Sequence, residues 1–426
     1  MGLSLSSYPE SVRYLYSLGN ETKTVKLGLE RVARLLAALG HPHHAARFVH
    51  VAGTNGKGSV CAMIESALRA AGLRTGLFTS PHLVEPTERI QLDGSPVAPA
   101  LFADAFSTVH RHAESMLAEG GIDSHPTYFE TVTAMAFLLF RDLGADVVVL
   151  EVGLGGRLDA TNVVSPRLSV LTPIDYDHEA HLGKSLEAIA SEKAGIIKPG
   201  APVVTGPQPA VVQAVIEARA AEVGAPVFSL SEWKAENLEL DACGSRFTAI
   251  GPGRYRIECP LAGEHQVSNA LTAVAALHAL QTPAQAVEEG IRATRWPGRL
   301  ERVSRQPEVI LDGAHNPAGA LALARHIQRF YGGRRVWLIY GAMRDKAVAE
   351  AAGILFPAAS EVILTAPDHP RAVRPEAIRD LVDHPRLHVA PSLADALRKL
   401  EQAAPEDAVF ITGSLFLVGE AKALLT

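Results

Sequence analysis

Cysteine is scarce: Cys61, Cys243 and Cys259 are the whole supply in 426 residues, and no two form a CxxC pair. So sparse and odd a set excludes a disulfide scaffold and predicts a reducing, cytoplasmic setting. No apolar run approaches the roughly 18 residues of a membrane span. Met1–Glu10 also lacks the basic and apolar segments of a secretory signal, so no membrane partner is expected. The opening Met1-Gly2-Leu3-Ser4-Leu5-Ser6 fits the loose M-G-x-x-x-S acylation pattern, which is short enough to arise by chance. Basic runs are missing too. Lys plus Arg total 40 against 46 Asp plus Glu, a net charge of −6, which gives no support to a sequence-independent grip on nucleic acid. An anionic substrate would need a local positive site.

What is present is material for buried cores: 47% hydrophobic and 20% charged residues, with 35 Gly and 27 Pro. At roughly 150 residues per domain the length allows two or three domains. Val25, Leu27, Leu29, Val32, Leu35, Leu36 and Leu39 recur at helical spacing before Gly40 and Pro42. Strands are predicted at Arg47–Ala52, Arg74–Thr79, Asp146–Glu151, Leu168–Thr172 and Pro202–Thr205, and helices at Thr127–Leu143 and Ser185–Ala194. That alternation predicts βαβ units and a mainly parallel sheet. Between Pro226 and Pro260, Leu238, Leu240, Phe247, Ala249, Tyr255 and Ile257 alternate with polar residues, the pattern of a small antiparallel sheet. Helical pattern returns at His265–Leu280 and Pro283–Thr294 and stops at Trp296-Pro297-Gly298. A second α/β domain is expected from there, with strands at Glu308–Leu311, Val336–Tyr340, Glu361–Thr365 and Ala408–Thr412. The expected domains are thus 1–296 and 297–426.

Gly53-Thr54-Asn55-Gly56-Lys57-Gly58-Ser59 lies between a predicted strand and a predicted helix. Glycines let backbone N–H groups turn towards phosphate oxygens, a helix N-terminus adds positive potential, Lys57 reaches the β/γ-phosphates, and Ser59 suits Mg²⁺. The loop departs from the common GxxxxGK[ST] form, because Gly58 separates the lysine from the hydroxyl. A turn that only packs helix on strand would explain the glycines but not Lys57 and Ser59. A nucleoside triphosphate is the expected ligand.

Glu151 ends an apolar strand beside Gly153-Leu154-Gly155-Gly156, at the sheet end where ligands of parallel sheets collect. There it is placed to hold Mg²⁺. His178 lies beyond the next strand end. Lys193 belongs to a set of only 10 lysines against 30 arginines, and on the residues alone it reads as a cation at a helix C-terminus.

Eight segments, HVAGTNGKGS at 50–59, TSPHL at 79–83, ERIQLDG at 88–94, EVGLGGRLDATN at 151–162, DYDHEAHLG at 175–183, EKAGIIKPG at 192–200, WPGRLE at 296–301 and LDGAHNP at 311–317, closely resemble the folylpolyglutamate and dihydrofolate synthases. Those enzymes belong to the Mur ligase superfamily of ATP-dependent amide ligases. The resemblance implies an N-terminal P-loop ATPase-type domain with a mainly parallel sheet and a small antiparallel one, then a C-terminal Rossmann-like α/β domain. It implies an acyl phosphate formed from ATP and a folate carboxylate, which the glutamate amine then attacks. One Mg²⁺ would be held through Ser80 and Glu151, and a second by Glu151, His178 and a carbamylated Lys193, whose buried amine must first be neutral. Asn269, Arg299, Asp312 and His315 are implied on the nucleotide side. Tyr128, Phe129 and Asp159 are implied on the pterin side, and His315 and Ser414 for glutamate. The Asp159 variant of the motif resembles enzymes with both activities, so both are expected, in a monomer. Rival expectations are polyglutamylation alone, a cell-wall-precursor ligase, for which only 52 residues before Gly53 leave no room for a UDP-sugar domain, and an ATP-switched binding protein.

Overall fold

The computed structural model describes residues 7–19, 28–344 and 346–426. Val25 and Leu27 of the expected first helix, and the acylation pattern at 1–6, lie outside the described residues. The chain divides into two compact units: residues up to Lys234 with Ala249–Tyr255 and Asn269–Ile291, and then Ala235–Thr248, Arg256–Ser268 and Arg292–Thr426. Residues 235–248 and 256–268, expected within 1–296, therefore group with the second unit.

In the first unit, α1 (Tyr8–Ser17) and α2 (Glu30–Ala38) precede β1 (Arg47–Ala52), α3 (Lys57–Ala70) and β2 (Thr75–Phe78). Then come β3 (Ile90–Leu92), β4 (Ser95–Pro96), α4 (Pro99–Ala118), α5 (Tyr128–Asp142), β5 (Val147–Glu151) and β6 (Leu168–Leu171). The order closes with α6 (Glu179–Leu182), α7 (Leu186–Ala194), β7 (Val203–Thr205), α8 (Ala210–Val223) and β8 (Val227–Ser229). The eight strands run β4-β3-β2-β5-β1-β6-β7-β8, parallel from β2 to β8, with β3 and β4 antiparallel at the edge. Val147–Glu151 and all of β1 except Arg47 are buried, so these central strands read as nearly unbroken apolar runs. The chain leaves β1 for β2 on one side and leaves β5 for β6 on the other. That reversal opens a crevice at the carboxyl ends of β5, β1 and β6.

The stretch after Pro226 contains β9 (Lys234–Leu240), β10 (Ser245–Ile250) and β11 (Arg254–Cys259), a three-stranded sheet in the order β11-β10-β9. Leu238 points to solvent, being 45% exposed, whereas Phe247, Ala249, Tyr255 and Ile257 are buried. The helices α9 (Glu264–Ala279) and α10 (Ala284–Ala293) follow.

The second unit's main sheet uses β12 (Glu301–Arg305), β13 (Glu308–Leu311), β14 (Val336–Tyr340), β15 (Glu361–Leu364), β16 (Leu387–Val389) and β17 (Ala408–Thr412). Its order is β12-β13-β17-β14-β15-β16, with only the β12–β13 pair antiparallel. Between the strands run α11 (Pro317–Tyr331), α12 (Val348–Leu355), α13 (Pro375–Arg379) and α14 (Leu393–Lys399), and α15 (Leu415–Leu425) ends the chain. Ile310, Leu338, Tyr340, Leu364 and Phe410 build its core with Leu323 and Ile327 of α11. Among the described residues no helix is long and apolar enough to cross a membrane.

Candidate active site

The loop after β1 is shaped by its glycines. Gly53 has φ +150° and Gly56 has φ +87°. A Cβ at Gly53 would lie 1.9 Å from the Thr172 hydroxyl oxygen, and one at Gly56 would lie 2.4 Å from Asn269 Oδ1. No side chain fits either position. Asn269 thus lies directly against the loop. The ladder of α3 starts with Val60 N–H donating to the Gly56 carbonyl at 3.0 Å, so the earlier amides face out of the helix N-terminus. Not every loop amide turns inward as the sequence suggested. Thr54 N–H and Asn55 N–H donate to the Pro173 carbonyl at 2.9 and 3.3 Å. Thr54 Oγ1 donates to the Asp175 carbonyl at 2.9 Å and accepts from Asp175 N–H at 3.0 Å. These bonds spend the front of the loop on anchoring it to the segment after β6.

Two lysines meet on one carbonyl. Lys57 Nζ donates to the Gly53 and Thr54 carbonyls, both at 3.1 Å, and Lys193 Nζ donates to the Gly53 carbonyl at 2.8 Å. Lys193 is buried near the end of α7, and its amine is pushed from 10.5 to about 7, chiefly by burial and next by the charge of Lys57. Asp177 and Asp159 oppose that shift. The glycine-rich turn after β5 sets this placement, because a Cβ at Gly156 would lie 2.7 Å from the Glu192 carbonyl and 3.0 Å from Lys193 Cα. Lys193 stands in the last turn of α7, where the sequence placed it, but tertiary packing buries it there.

Glu151 is buried at the end of β5, and its Oε2 accepts from Ser80 N–H at 3.0 Å. The Cys61 thiol, one turn into α3, is driven up by burial and by the Glu151 charge and drawn down by Lys57. Glu151 and Lys57 therefore act on the same turn of α3. A held carboxylate beside a serine is an oxygen donor set of the kind that Mg²⁺ takes. His178 sits in the left-handed region at φ +52°, with its Nε2 3.7 Å from Asp177 Oδ2 and its side chain 32% exposed. Among the described residues, neither group of three or more His, Cys, Asp or Glu ligand atoms within 4.8 Å of one another contains Glu151 or His178.

The expected pterin residues lie on the other side of β5. Phe129 presses on Gly153, where a Cβ would meet its ring at 2.5 Å, and packs on Phe78 at 5.9 Å. Tyr128 stacks on Tyr16, with centroids 5.9 Å apart and an interplanar angle of 3°, and Arg89 lies 5.2 Å from the Tyr128 ring centre. Arg89 Nε donates to His82 Nδ1 at 2.7 Å. Burial and Arg89 hold His82 neutral, so its proton sits on Nε2 and reaches the Tyr16 hydroxyl at 3.1 Å. Tyr16, His82 and Arg89 pack around Tyr128, an association not read from the sequence although His82 stands inside the TSPHL motif. Asp159 is buried as the cap of a short 3₁₀ turn at Ala160–Val163. Its Oδ2 accepts from Leu154 N–H at 2.8 Å and its Oδ1 from Thr161 N–H at 3.0 Å, and burial raises its carboxyl.

In the second unit, Asp312 and Ser414 follow the neighbouring strands β13 and β17. Asp312 accepts from Leu300 N–H and Ala314 N–H, both at 3.0 Å, and burial raises its carboxyl while Arg299 draws it down. Arg299 Nη1 donates to the Gly298 carbonyl at 3.0 Å, and His315 Nδ1 donates to the Gly313 carbonyl at 2.8 Å. Ser414, fully buried, caps α15 by accepting from Phe416 N–H at 3.1 Å. Gly413 N–H donates to the Ala314 carbonyl at 3.1 Å and ties the two strand ends together.

Comparison with known proteins decides the family. The Mur ligase middle domain profile matches residues 51–277, and that of the Mur ligase, glutamate ligase domain matches 298–415. Folylpolyglutamate synthase of Lacticaseibacillus casei is 38% identical over 98% of this chain and 99% of its own length. Dihydrofolate synthase/folylpolyglutamate synthase of Bacillus subtilis is 37% identical over 93% of this chain and 94% of its own. This chain belongs to the folylpolyglutamate synthase family of Mur ligases. It is an ATP-dependent ligase. The Mycobacterium tuberculosis folylpolyglutamate synthase complexed with ADP superposes with a TM-score of 0.92 at 34% identity, covering 98% of this chain and 99% of that one. Escherichia coli FolC in complex with DHPP and ADP gives a TM-score of 0.87 at 34% identity, covering 97% of each chain. Within this ligase, Gly53 to Ser59, Ser80, Glu151, Lys193 and Asn269 belong to the first unit, and Arg299, Asp312, His315 and Ser414 to the second.

Proposed function

We propose that this ligase joins L-glutamate to dihydropteroate and to reduced folates. The γ-phosphoryl group of ATP passes to a carboxylate oxygen of the acid, ADP leaves, and the resulting acyl phosphate is attacked by the glutamate amine. The amine loses a proton, the C–N bond forms, the C–O bond to phosphate breaks, and inorganic phosphate departs. Phosphoryl transfer asks for positioning and charge neutralisation more than for covalent help. Lys57 and the amides from Gly56 to Ser59 supply both at the phosphates, and Asn269 borders the nucleotide. Mg²⁺ held by Glu151, Ser80 and Ser59 would neutralise charge on the β/γ-phosphates. His178 lies on the segment anchored to the loop through Thr54 and Asp175.

The observation that carries this reading is the Gly53 carbonyl shared by Lys57 and a buried Lys193 whose amine is about half neutral near pH 7. A neutral amine can add to CO₂ with loss of a proton, and the carbamate so formed would be an anionic oxygen ligand for a second Mg²⁺, with Glu151 and His178. Tyr128 and Phe129 give the pterin an aromatic wall, and Asp159 fixes the turn behind it. Arg299, Asp312 and His315 complete the nucleotide side, and His315 with Ser414 the glutamate side. We assign ATP and pterin binding to 1–296 and completion of the ligase to 297–426, working as a cytoplasmic monomer.

The test is ADP release with dihydropteroate or tetrahydrofolate, with and without L-glutamate. Release with both acids, each dependent on glutamate, is the expected result. The name of the Lacticaseibacillus casei relative, folylpolyglutamate synthase alone, favours a narrower second reading. Release with tetrahydrofolate but not dihydropteroate would select it.

A further inference from the structure

One cluster beside the pterin residues has no part in ligation. His110 and Glu114 lie one turn apart on α4, and His125 stands three residues before Tyr128. Their ligand atoms converge: His125 Nε2 lies 3.3 Å and His110 Nδ1 4.0 Å from the same Glu114 oxygen, Oε1. The three atoms lie within 4.8 Å of one another.

His125 Nδ1 is 3.0 Å from the Pro126 carbonyl, which only accepts, so that nitrogen carries a proton and Nε2 is the ring nitrogen turned to Glu114. Neither that Nε2 nor His110 Nδ1 is exposed to solvent, and neither makes a hydrogen bond. Three atoms of metal-ligating type thus converge on one point, the arrangement a bound cation requires. Tetrahedral ligands about 2.1 Å from a zinc ion sit roughly 3.4 Å apart, between the two separations seen. A bridging water bonded at about 2.9 Å to each group would need roughly 4.7 Å, too wide for His125 and Glu114. The Tyr14 ring, 4.6 Å from the His110 ring, and the Phe106 ring, stacked on it at 5.5 Å, wall one side with apolar surface. The Glu114 side chain, 51% exposed, opens the other side to solvent.

We propose that His110 Nδ1, Glu114 Oε1 and His125 Nε2 bind one divalent transition-metal ion of the zinc class, with water as the fourth ligand. Two imidazoles and a carboxylate select such an ion over Mg²⁺. The ion tethers α4 to the segment that leads into α5, and so steadies the helix start that bears Tyr128 and Phe129.

The full-length protein, stripped by chelator, is titrated with Zn²⁺ beside Glu114→Gln and His125→Gln. The wild type should take up one equivalent more than either variant, and Co²⁺ should give visible bands of a four-coordinate site in the wild type alone. Zn²⁺ should raise the melting temperature of the wild type and not that of the variants. Glu114 is largely exposed, so its variant keeps the fold, and circular dichroism of the metal-free forms verifies this. Equal uptake by all three proteins, or an equal melting response, overturns the proposal.

Discussion

Replacing Lys193 with methionine separates the cost of the buried amine from its use. The unfolded chain holds the lysine proton up to about 10.5, whereas the folded chain releases it at about 7. Between those values the unfolded state binds more protons, so stability rises with pH. The contribution is full above 10.5 and is lost as pH falls to about 7, below which both states are charged and the cost is constant. A shift of this size corresponds to about 5 kcal/mol, or roughly 1.4 kcal/mol per pH unit inside the window. Lys193→Met keeps most of the volume, and the Gly53 carbonyl still accepts from Lys57 at 3.1 Å. In urea unfolding without substrates the variant should be more stable than the wild type at pH 7. Its advantage should shrink by about 2 kcal/mol by pH 9, the slope at pH 7 itself being half the full value. Glutamate-dependent ADP release should be lost throughout and partly restored by short carboxylates. A stability difference that is the same at pH 7 and pH 9, or a variant weaker at pH 7, refutes the argument.

Gly56→Ala places a Cβ 2.4 Å from Asn269 Oδ1 at φ +87°, so ADP affinity measured by calorimetry should fall at least tenfold and the strain should also lower the melting temperature. Gly153→Ala drives a Cβ to 2.5 Å from the Phe129 ring, and steady-state kinetics should show a raised KM for the folate substrate with ADP binding intact. Glu130→Gln breaks a buried pair in which Arg31 Nη2 donates to Glu130 Oε2 at 2.7 Å. Denaturant unfolding should register a loss of about 3 kcal/mol, since one partner stays buried and charged.

The central strands were legible because burial on both faces leaves an apolar run with sharp ends, as at Arg47–Ala52, Val336–Tyr340 and Ala408–Thr412. Strands β3 and β4 were not read, being three and two residues long at an edge. Their turn nevertheless carries a signal in Asp93-Gly94, both at positive φ (50° and 77°), the dipeptide favoured in tight hairpins. The phosphate loop could be read locally, since its chemistry is held in consecutive residues. The environment of Lys193 could not: its acceptor, Gly53, is 140 residues away, and its burial comes from Gly156 packing on α7. Tyr16 on Tyr128 is a similar case, a contact between helices that no spacing along the chain announces.

The Gly53 carbonyl also bears on how fast nucleotide is captured. An ammonium standing free in water must shed its hydration shell before it grips a phosphate, and that step slows association and weakens the complex. Lys57 already donates to two carbonyls at 3.1 Å, so those two donors face protein oxygen rather than water before any ligand arrives. Arrival of a triphosphate then exchanges one oxygen partner for another. The same carbonyls stand ready to take the lysine back when product leaves.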